Sequence, residues 1–299
     1  MNSPRKASVG EPPLLELERV SKVFPRGRSL REGTRALDDI SMVIPSGAPS
    51  ITAIAGESGS GKTTLAHLVL GLLKPSGGSI RYRGDDVTTL LERGGTSFRR
   101  EVQAILQDPY DVFNPFYTVD HVFDVLFRRF DLGTTKQDRH ELVREALLAV
   151  GLEPERTLGR YPHQLSGGQA QRLMVARSLM LRPRLIVADE PVSMVDATLR
   201  VTILDTMVQL KETLGVSFLY ITHDLATAYR MSDEILIVHR GRVVERGTTR
   251  SVIDAPQDPY TRLLIESIPE PDPDLRWPGR LVEAMSEPLE PSILSEVAP

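Results

Sequence analysis

No cysteine occurs anywhere in the 299 residues. That excludes a disulfide framework, a Cys-ligated zinc and an iron–sulfur cluster, and a chain of this length buries enough core to need none of them. Long apolar runs are also missing. The longest, Leu65–Leu73, is broken by His67 and is about half the ~18–20 residues that a bilayer-spanning helix requires. The N-terminal stretch MNSPRKASVGEPP has no apolar h-region of a secretion signal. Basic charge is not in excess: 36 Lys+Arg face 40 Asp+Glu for a net charge of −4, and only six of the basic residues are Lys. Such a surface does not track nucleic acid, so no nucleic-acid partner is expected. The expectation is a soluble protein of a reducing compartment that meets a membrane only through another chain.

The charge is unevenly spread. From Pro269 onward seven acidic residues outweigh two basic ones, leaving −5 in the tail and +1 in the rest, and the same tail holds seven of the 22 prolines. Proline at that density disfavours continuous helix or strand. Upstream, 14–20 and 36–44 read as strands joined by a basic loop, Arg26–Arg35, expected to be a solvated charged loop. ITAIAG (51–56) is an apolar strand ending in Gly, followed by a helix over 63–73. RLIVADE (184–190) and SFLYIT (217–222) read as buried strands on either side of a helix over 198–213, and 234–247 reads as a hairpin turning at Gly241. Strands alternating with helices imply a parallel sheet wound by helices. The stretch between, about 97–182, has helical periodicity with one strand-like run, VQAIL, and reads as a helical insert. No repeat with a period of about 20–50 residues is visible.

Gly56-Glu57-Ser58-Gly59-Ser60-Gly61-Lys62-Thr63 satisfies GxxxxGK[ST] between a predicted strand and a predicted helix. Glycines permit positive φ and turn backbone N–H groups into a concave nest for phosphate oxygens, and the helix that follows aims its positive dipole end at them. Lys62 is expected to reach the β- and γ-phosphates and the Thr63 hydroxyl to ligate Mg²⁺, so Gly56 through Thr63, with Thr64, are the candidate nucleotide contacts. In LIVADEP, Asp189 ends an apolar strand and Glu190 follows it. Adjacent acids at a strand end are common, but strand ends in open α/β sheets open onto the ligand crevice. Beside a phosphate loop, Asp189 is placed to hold Mg²⁺ and Glu190 to polarise the water that attacks the γ-phosphate.

Leu165-Ser166-Gly167-Gly168-Gln169, within YPHQLSGGQAQR, is the signature of ATP-binding-cassette (ABC) ATPases, and with it the chain resembles that family along nearly its whole length. The resemblance implies a P-loop NTPase fold of the ABC ATPase type: α/β, with a mixed sheet, an antiparallel β-subdomain and a helical subdomain. It implies an ATPase domain over 14–252 and an extension over 253–299. It further implies that Ser166, Gly167, Gly168 and Gln169 close on the γ-phosphate bound by an opposite subunit, so that two ATP molecules are sandwiched in a dimer. Gln107 resembles the Q-loop glutamine that senses Mg²⁺ and water, which adds it to Thr63 and Asp189 as a metal candidate. His223 resembles the switch histidine and joins Glu190, Gln107 and Lys62 in the catalytic set. Ser193-Met194-Val195-Asp196 resembles the D-loop, with Asp196 facing the partner, and Phe24 occupies the aromatic position that stacks on adenine.

Gln107-Asp108-Pro109-Tyr110, then Asn114-Pro115, resembles the Q-loop of oligopeptide/dipeptide importer ATPases. The stretch Asp258-Pro259-Tyr260-Thr261-Arg262 with Ser267–Pro273 resembles that branch's C-terminal motif. Asp258 departs from the branch's usual His, Met194-Val195 departs from Ala-Leu, and the missing Cys excludes the iron–sulfur cluster that some members carry. PVSMVDATLR and ITHDLATAY resemble members that also serve oligosaccharides. The implied partners are a second ATPase subunit, identical or paralogous, two transmembrane permease subunits on whose cytoplasmic face this chain sits, and an external solute-binding protein. A DNA-repair or ribosome-associated ABC ATPase is the alternative, but it would carry long coiled-coil insertions or a second cassette. A regulatory module would have lost Glu190, His223 or LSGGQ. Within the aromatic-rich stretch 110–130, Val122, Phe123, Leu126, Phe127 and Phe130 share a helical face and read as core. Tyr110, Phe113 and Phe116 lie in a Pro- and Asn-containing loop and read as exposed docking candidates.

Overall fold

The computed structural model describes residues 11–26, 29–193, 195 and 197–267, and the structural statements below concern these residues. The chain opens with a long antiparallel hairpin, β1 (Leu15–Arg26) and β2 (Ser29–Ile44), then β3 (Ile51–Ala55) and α1 (Lys62–Val69). Next come β4 (Gly77–Tyr82), β5 (Asp85–Asp86), α2 (Val87–Glu92), α3 (Thr96–Glu101) and β6 (Val102–Ile105). Four helices follow: α4 (His121–Phe130), α5 (Lys136–Ala149), α6 (Pro154–Thr157) and α7 (Gly167–Leu179). The rest of the chain is β7 (Leu185–Asp189), α8 (Ala197–Leu214), β8 (Ser217–Thr222), α9 (Leu225–Met231), β9 (Glu234–His239), β10 (Arg242–Thr248), α10 (Thr249–Asp254) and α11 (Pro259–Glu266).

A six-stranded sheet runs β10-β9-β3-β8-β7-β6, parallel throughout except for the antiparallel edge strand β10; a four-stranded antiparallel sheet runs β2-β1-β4-β5. Every residue of β3, β7 and β8 is buried, as expected of strands covered on both faces. Their alternation sorts two cores. Ala53, Ala55, Ile186, Ala188, Phe218 and Tyr220 face a core shared with α4, α5, α7 and α8, while Ile54, Val187, Leu219 and Ile221 face one shared with α1 and the antiparallel sheet. The pairing Ala55↔Thr222 and Asp189↔Ile221 brings the C-terminal ends of β3, β7 and β8 side by side. The loops leaving them therefore converge at one edge.

The structure differs from the sequence expectations at four places. Within the basic stretch expected to be a loop, Arg26–Arg35, residues 29–35 belong to β2, which begins at Ser29 and extends the hairpin. The helix expected over 63–73 stops at Val69, because Leu70 caps it and Gly71 turns left-handed at φ +68°. VQAIL does not belong to the helical insert, since β6 pairs in parallel with β7. Phe113 is buried rather than exposed, whereas Phe116 is 86% exposed and Tyr110 is tethered by its hydroxyl, which donates to the Leu165 carbonyl at 3.0 Å.

Candidate active site

The phosphate loop leaves β3 through Gly56, where φ is +152° and any Cβ would collide with the Val238 carbonyl oxygen of β9. Gly61, just before α1, is equally confined: a Cβ there would strike the Ala36 carbonyl. Glycine is thus required by close backbone approach at both ends of the loop. Between them the loop closes on itself, with the Ser60 N–H donating to the Glu57 carbonyl at 3.2 Å and the Gly241 N–H donating to the Ser60 carbonyl at 3.0 Å. Lys62 is 5% exposed, and its Nζ donates to the carbonyls of Gly56 (2.8 Å) and Glu57 (2.7 Å). Burial lowers the Lys62 pKa, opposed by the negative charges of Glu190, Asp189 and Glu57. The ammonium sits inside a ring of acceptors, where a phosphate anion can displace two neutral carbonyls for stronger charge-assisted bonds.

Across the loop, Asp189 ends β7 and is 5% exposed, and its Oδ1 has no hydrogen-bond partner. Burial pushes its carboxyl above the ordinary aspartate range, against a hydrogen bond from Thr63 and with the charge of Glu190 adding to the rise. An orphaned carboxylate oxygen beside a hydroxyl is an oxygen donor set suited to Mg²⁺, so the residues present fit that ion. Glu190 sits just past the strand in left-handed backbone, φ +46°, a conformation that costs a non-glycine residue energy. Its own N–H donates to the Ile221 carbonyl (2.9 Å), while its carbonyl accepts the Ser193 N–H (3.2 Å) and hydroxyl (3.0 Å). The strained turn aims the carboxylate between two side chains. His223 Nδ1 lies 3.0 Å from Oε1, and Gln107 Nε2 donates to Oε2 at 3.3 Å. These groups, with Ser58, Gly59, Lys62, Thr63 and Thr64, line an open cleft of about 510 Å³.

The phosphate loop, Gln107, Glu190, Ser193 and His223 thus meet in one cleft, with Asp189 buried next to Glu190 at the end of β7. Ser193, the first residue of the expected D-loop, lines the cleft, as does Ala36, to which the sequence assigns no role. The LSGGQ segment does not join them. Ser166 caps α7 in a capping box, its Oγ accepting the Gln169 N–H (3.3 Å) while Gln169 Oε1 accepts the Ser166 N–H (3.0 Å). Gly168 packs so closely on Leu199 that a Cβ would have its side chain at 2.5 Å. Ser166 itself is exposed and, like Gly167, Gly168 and Gln169, lies outside the cleft lining. Phe24, on β1 opposite Thr34, is also outside that lining, with Lys22 Nζ 5.2 Å from its ring centroid. Asp196 lies outside the described residues.

With the geometry in hand, the chain can be compared with known proteins. Residues 37–193 match the family model described as ABC transporter, and residues 244–292 match that of the oligopeptide/dipeptide transporter C-terminal region. A putative peptide import ATP-binding protein of Brucella ovis is 39% identical over 267 residues, covering 89% of this chain and 82% of that protein. The oligopeptide transport ATP-binding protein OppF of Salmonella typhimurium is 36% identical over 241 residues, covering 81% and 71%. Among solved structures, the dimeric post-hydrolysis form of the ATP-binding cassette MJ0796 bound to ADP and Pi superposes with TM-score 0.70 at 28% identity, covering 79% of this chain and 99% of that one. The cbiO1 subunit of the Clostridium perfringens cbiONQ transporter gives TM-score 0.69 at 26% identity, covering 82% and 92%.

Proposed function

This chain belongs to the ABC transporter family, and from that premise we propose that it is the ATP-hydrolysing subunit of a peptide importer, working at the cytoplasmic face of the membrane as half of an ATPase dimer. The observation that carries the proposal is the placement of Glu190, its carboxylate held between Gln107 and His223 at the mouth of the cleft that Lys62 and the phosphate loop form. The match of 244–292 to the oligopeptide/dipeptide C-terminal region and the names of the relatives support peptides as the solute class. Among the described residues no helix is long and apolar enough to cross a membrane. Attachment is accordingly assigned to two permease subunits, with a solute-binding protein acting through them. We assign residues 14–252 to the cassette and 253–299 to an extension, α11 being its first helix.

The chemistry follows from the groups in the cleft. Lys62 gives up the Gly56 and Glu57 carbonyls for oxygens of the β- and γ-phosphates, with backbone N–H groups of the loop and the N-terminus of α1 sharing their charge. Thr63, the unpartnered Asp189 Oδ1 and Gln107 are the groups that would hold Mg²⁺, which when bound supplies positive charge to those phosphates. Glu190 orients a water and takes its proton as the water oxygen attacks the γ-phosphorus. The bond to the bridging oxygen breaks, and ADP leaves with the electron pair. His223 and Gln107 fix the two carboxylate oxygens of Glu190, so its lone pairs point in set directions before the substrate arrives. Ser166 and the N-terminus of α7, turned away from this chain's own cleft, are offered to the γ-phosphate held by the opposite subunit. One chain therefore contributes half of each of two sites.

Hydrolysis by the assembled transporter tests this reading. With Glu190→Gln, turnover is expected to fall by at least ~10² while ATP affinity stays within about threefold. Undiminished hydrolysis removes Glu190 from the chemistry and with it the proposal.

A further inference from the structure

Among the described residues of the extension, Tyr260 reaches the phosphate loop. Asp258 caps α11 by accepting the Tyr260 N–H at 2.8 Å, and Glu245 of β10 accepts the N–H groups of Gln257 (2.8 Å) and Asp258 (3.1 Å). Arg262 reaches back to the carbonyls of Pro256 (3.0 Å) and Gln257 (3.1 Å). These bonds fix the first turn of α11 and deliver Tyr260 to the phosphate loop. Its ring lies on that of His239, centroids 3.9 Å apart, and its hydroxyl oxygen accepts the Glu57 N–H at 3.0 Å across 203 residues of sequence. His239 Nδ1 in turn lies 3.2 Å from the Glu57 carboxylate. Glu57 is thus held by its N–H from α11 and by its carbonyl from Lys62.

The peptide linking Gly56 to Glu57 has no side chain on its N-terminal side to restrain it. Its orientation is set from outside, and Tyr260 is the group that holds its N–H. We propose that Tyr260 is a positioning residue of the ATP site: it presets the front of the phosphate loop, so that the docking of α11 sets ATP affinity. The inference rests on the reading that this loop binds ATP. Without the hydroxyl, ordering of the 56–57 peptide is deferred to the moment of binding and weakens affinity. Hydrolysis is untouched, because Tyr260 contacts neither Glu190 nor its two brackets. Coupling is reciprocal, so bound ATP must also hold α11 more firmly in place.

Tyr260→Phe keeps the ring on His239 and removes only the acceptor. In the assembled transporter the KM for ATP is expected to rise about three- to tenfold, the worth of one net hydrogen bond, with kcat within about twofold. In the full chain, ATP is expected to slow amide hydrogen exchange across 259–266 in the wild type and to lose that effect in Tyr260→Phe. Tyr229→Phe is the control, since among the described residues that hydroxyl meets Asp254 and Arg250, each at 3.5 Å, and not the phosphate loop; KM and kcat should both stay unchanged. The inference is overturned by an unchanged KM in Tyr260→Phe, by a kcat that falls with it, or by equal ATP protection of α11 in both proteins. A wild type that neither binds nor hydrolyses ATP overturns the functional reading instead, which separates the two failures.

Discussion

Glu190 combines a catalytic side chain with a backbone conformation that only glycine adopts freely, and substitutions there separate the two. At φ +46° a Cβ costs roughly 1–2 kcal/mol. Glycine escapes that cost but gives back about 0.4–1 kcal/mol through the greater freedom of its unfolded chain. Both Glu190→Ala and Glu190→Gly lose the same contacts, those to His223 and Gln107, and keep the same backbone bonds to Ile221 and Ser193. Their difference therefore isolates the strain. Taking the middle of each range, the Gly variant should be more stable than the Ala variant by about 0.8 kcal/mol, or about 2–3 °C in Tm for a domain of this size. At ordinary φ the order is reversed. Thermal and urea unfolding of the nucleotide-free chain measure this, while ATPase assays in the assembled transporter should find both variants at least ~10² below wild type. An Ala variant as stable as the Gly variant, or more so, would show that the turn stores no strain and that the aim of the carboxylate has another origin.

Other expectations follow from single contacts. Gly56→Ala drives a Cβ into the Val238 carbonyl, so the unfolding free energy should drop by about 1–3 kcal/mol and ATP binding weaken together; a neutral substitution refutes the close approach. Phe123→Ala empties a site 1% exposed in the core under α4 and should cost about 3–5 kcal/mol in urea unfolding, with a loss below about 1 kcal/mol counting against that packing. Ser166→Ala removes the cap of α7 and should destabilise the chain by about 1 kcal/mol. Because Ser166 lies outside its own cleft, ATP binding by the isolated chain should be unchanged while turnover of the assembled dimer falls; a matching loss of binding would contradict the composite site.

Much of the cleft was legible because its chemistry is local in sequence. Gly56–Thr63 carry strand, loop and helix start within a few residues, and Ser166 and Gln169 lie three apart, the spacing a capping box requires. The strand assignments at 51–55, 185–189 and 217–222 followed from continuous apolar runs. What stayed hidden depends on pairing over long separations. Nothing in the residues themselves orders β8, β7 and β6 as neighbours, and that order is what brings His223 and Gln107 to opposite oxygens of Glu190. The left-handed φ of Glu190 was equally invisible, since Glu has no preference for it. A loop rich in Pro and Asn suggests exposure for Phe113, whereas its ring packs into the core beside α4 and α7. The Tyr260–Glu57 contact spans nearly the whole cassette and has no periodic signal at all.

Whether ATP split beside Glu190 drives peptides across a membrane is tested most directly by uptake of labelled oligopeptides into vesicles. These hold this chain with the proposed permease subunits and partner ATPase, loaded binding protein on one side and ATP on the cytoplasmic side. Uptake should require ATP and fall at least about tenfold with Glu190→Gln. Peptide accumulation that continues undiminished in that variant, or an intact transporter that hydrolyses ATP yet moves no peptide, would contradict that coupling.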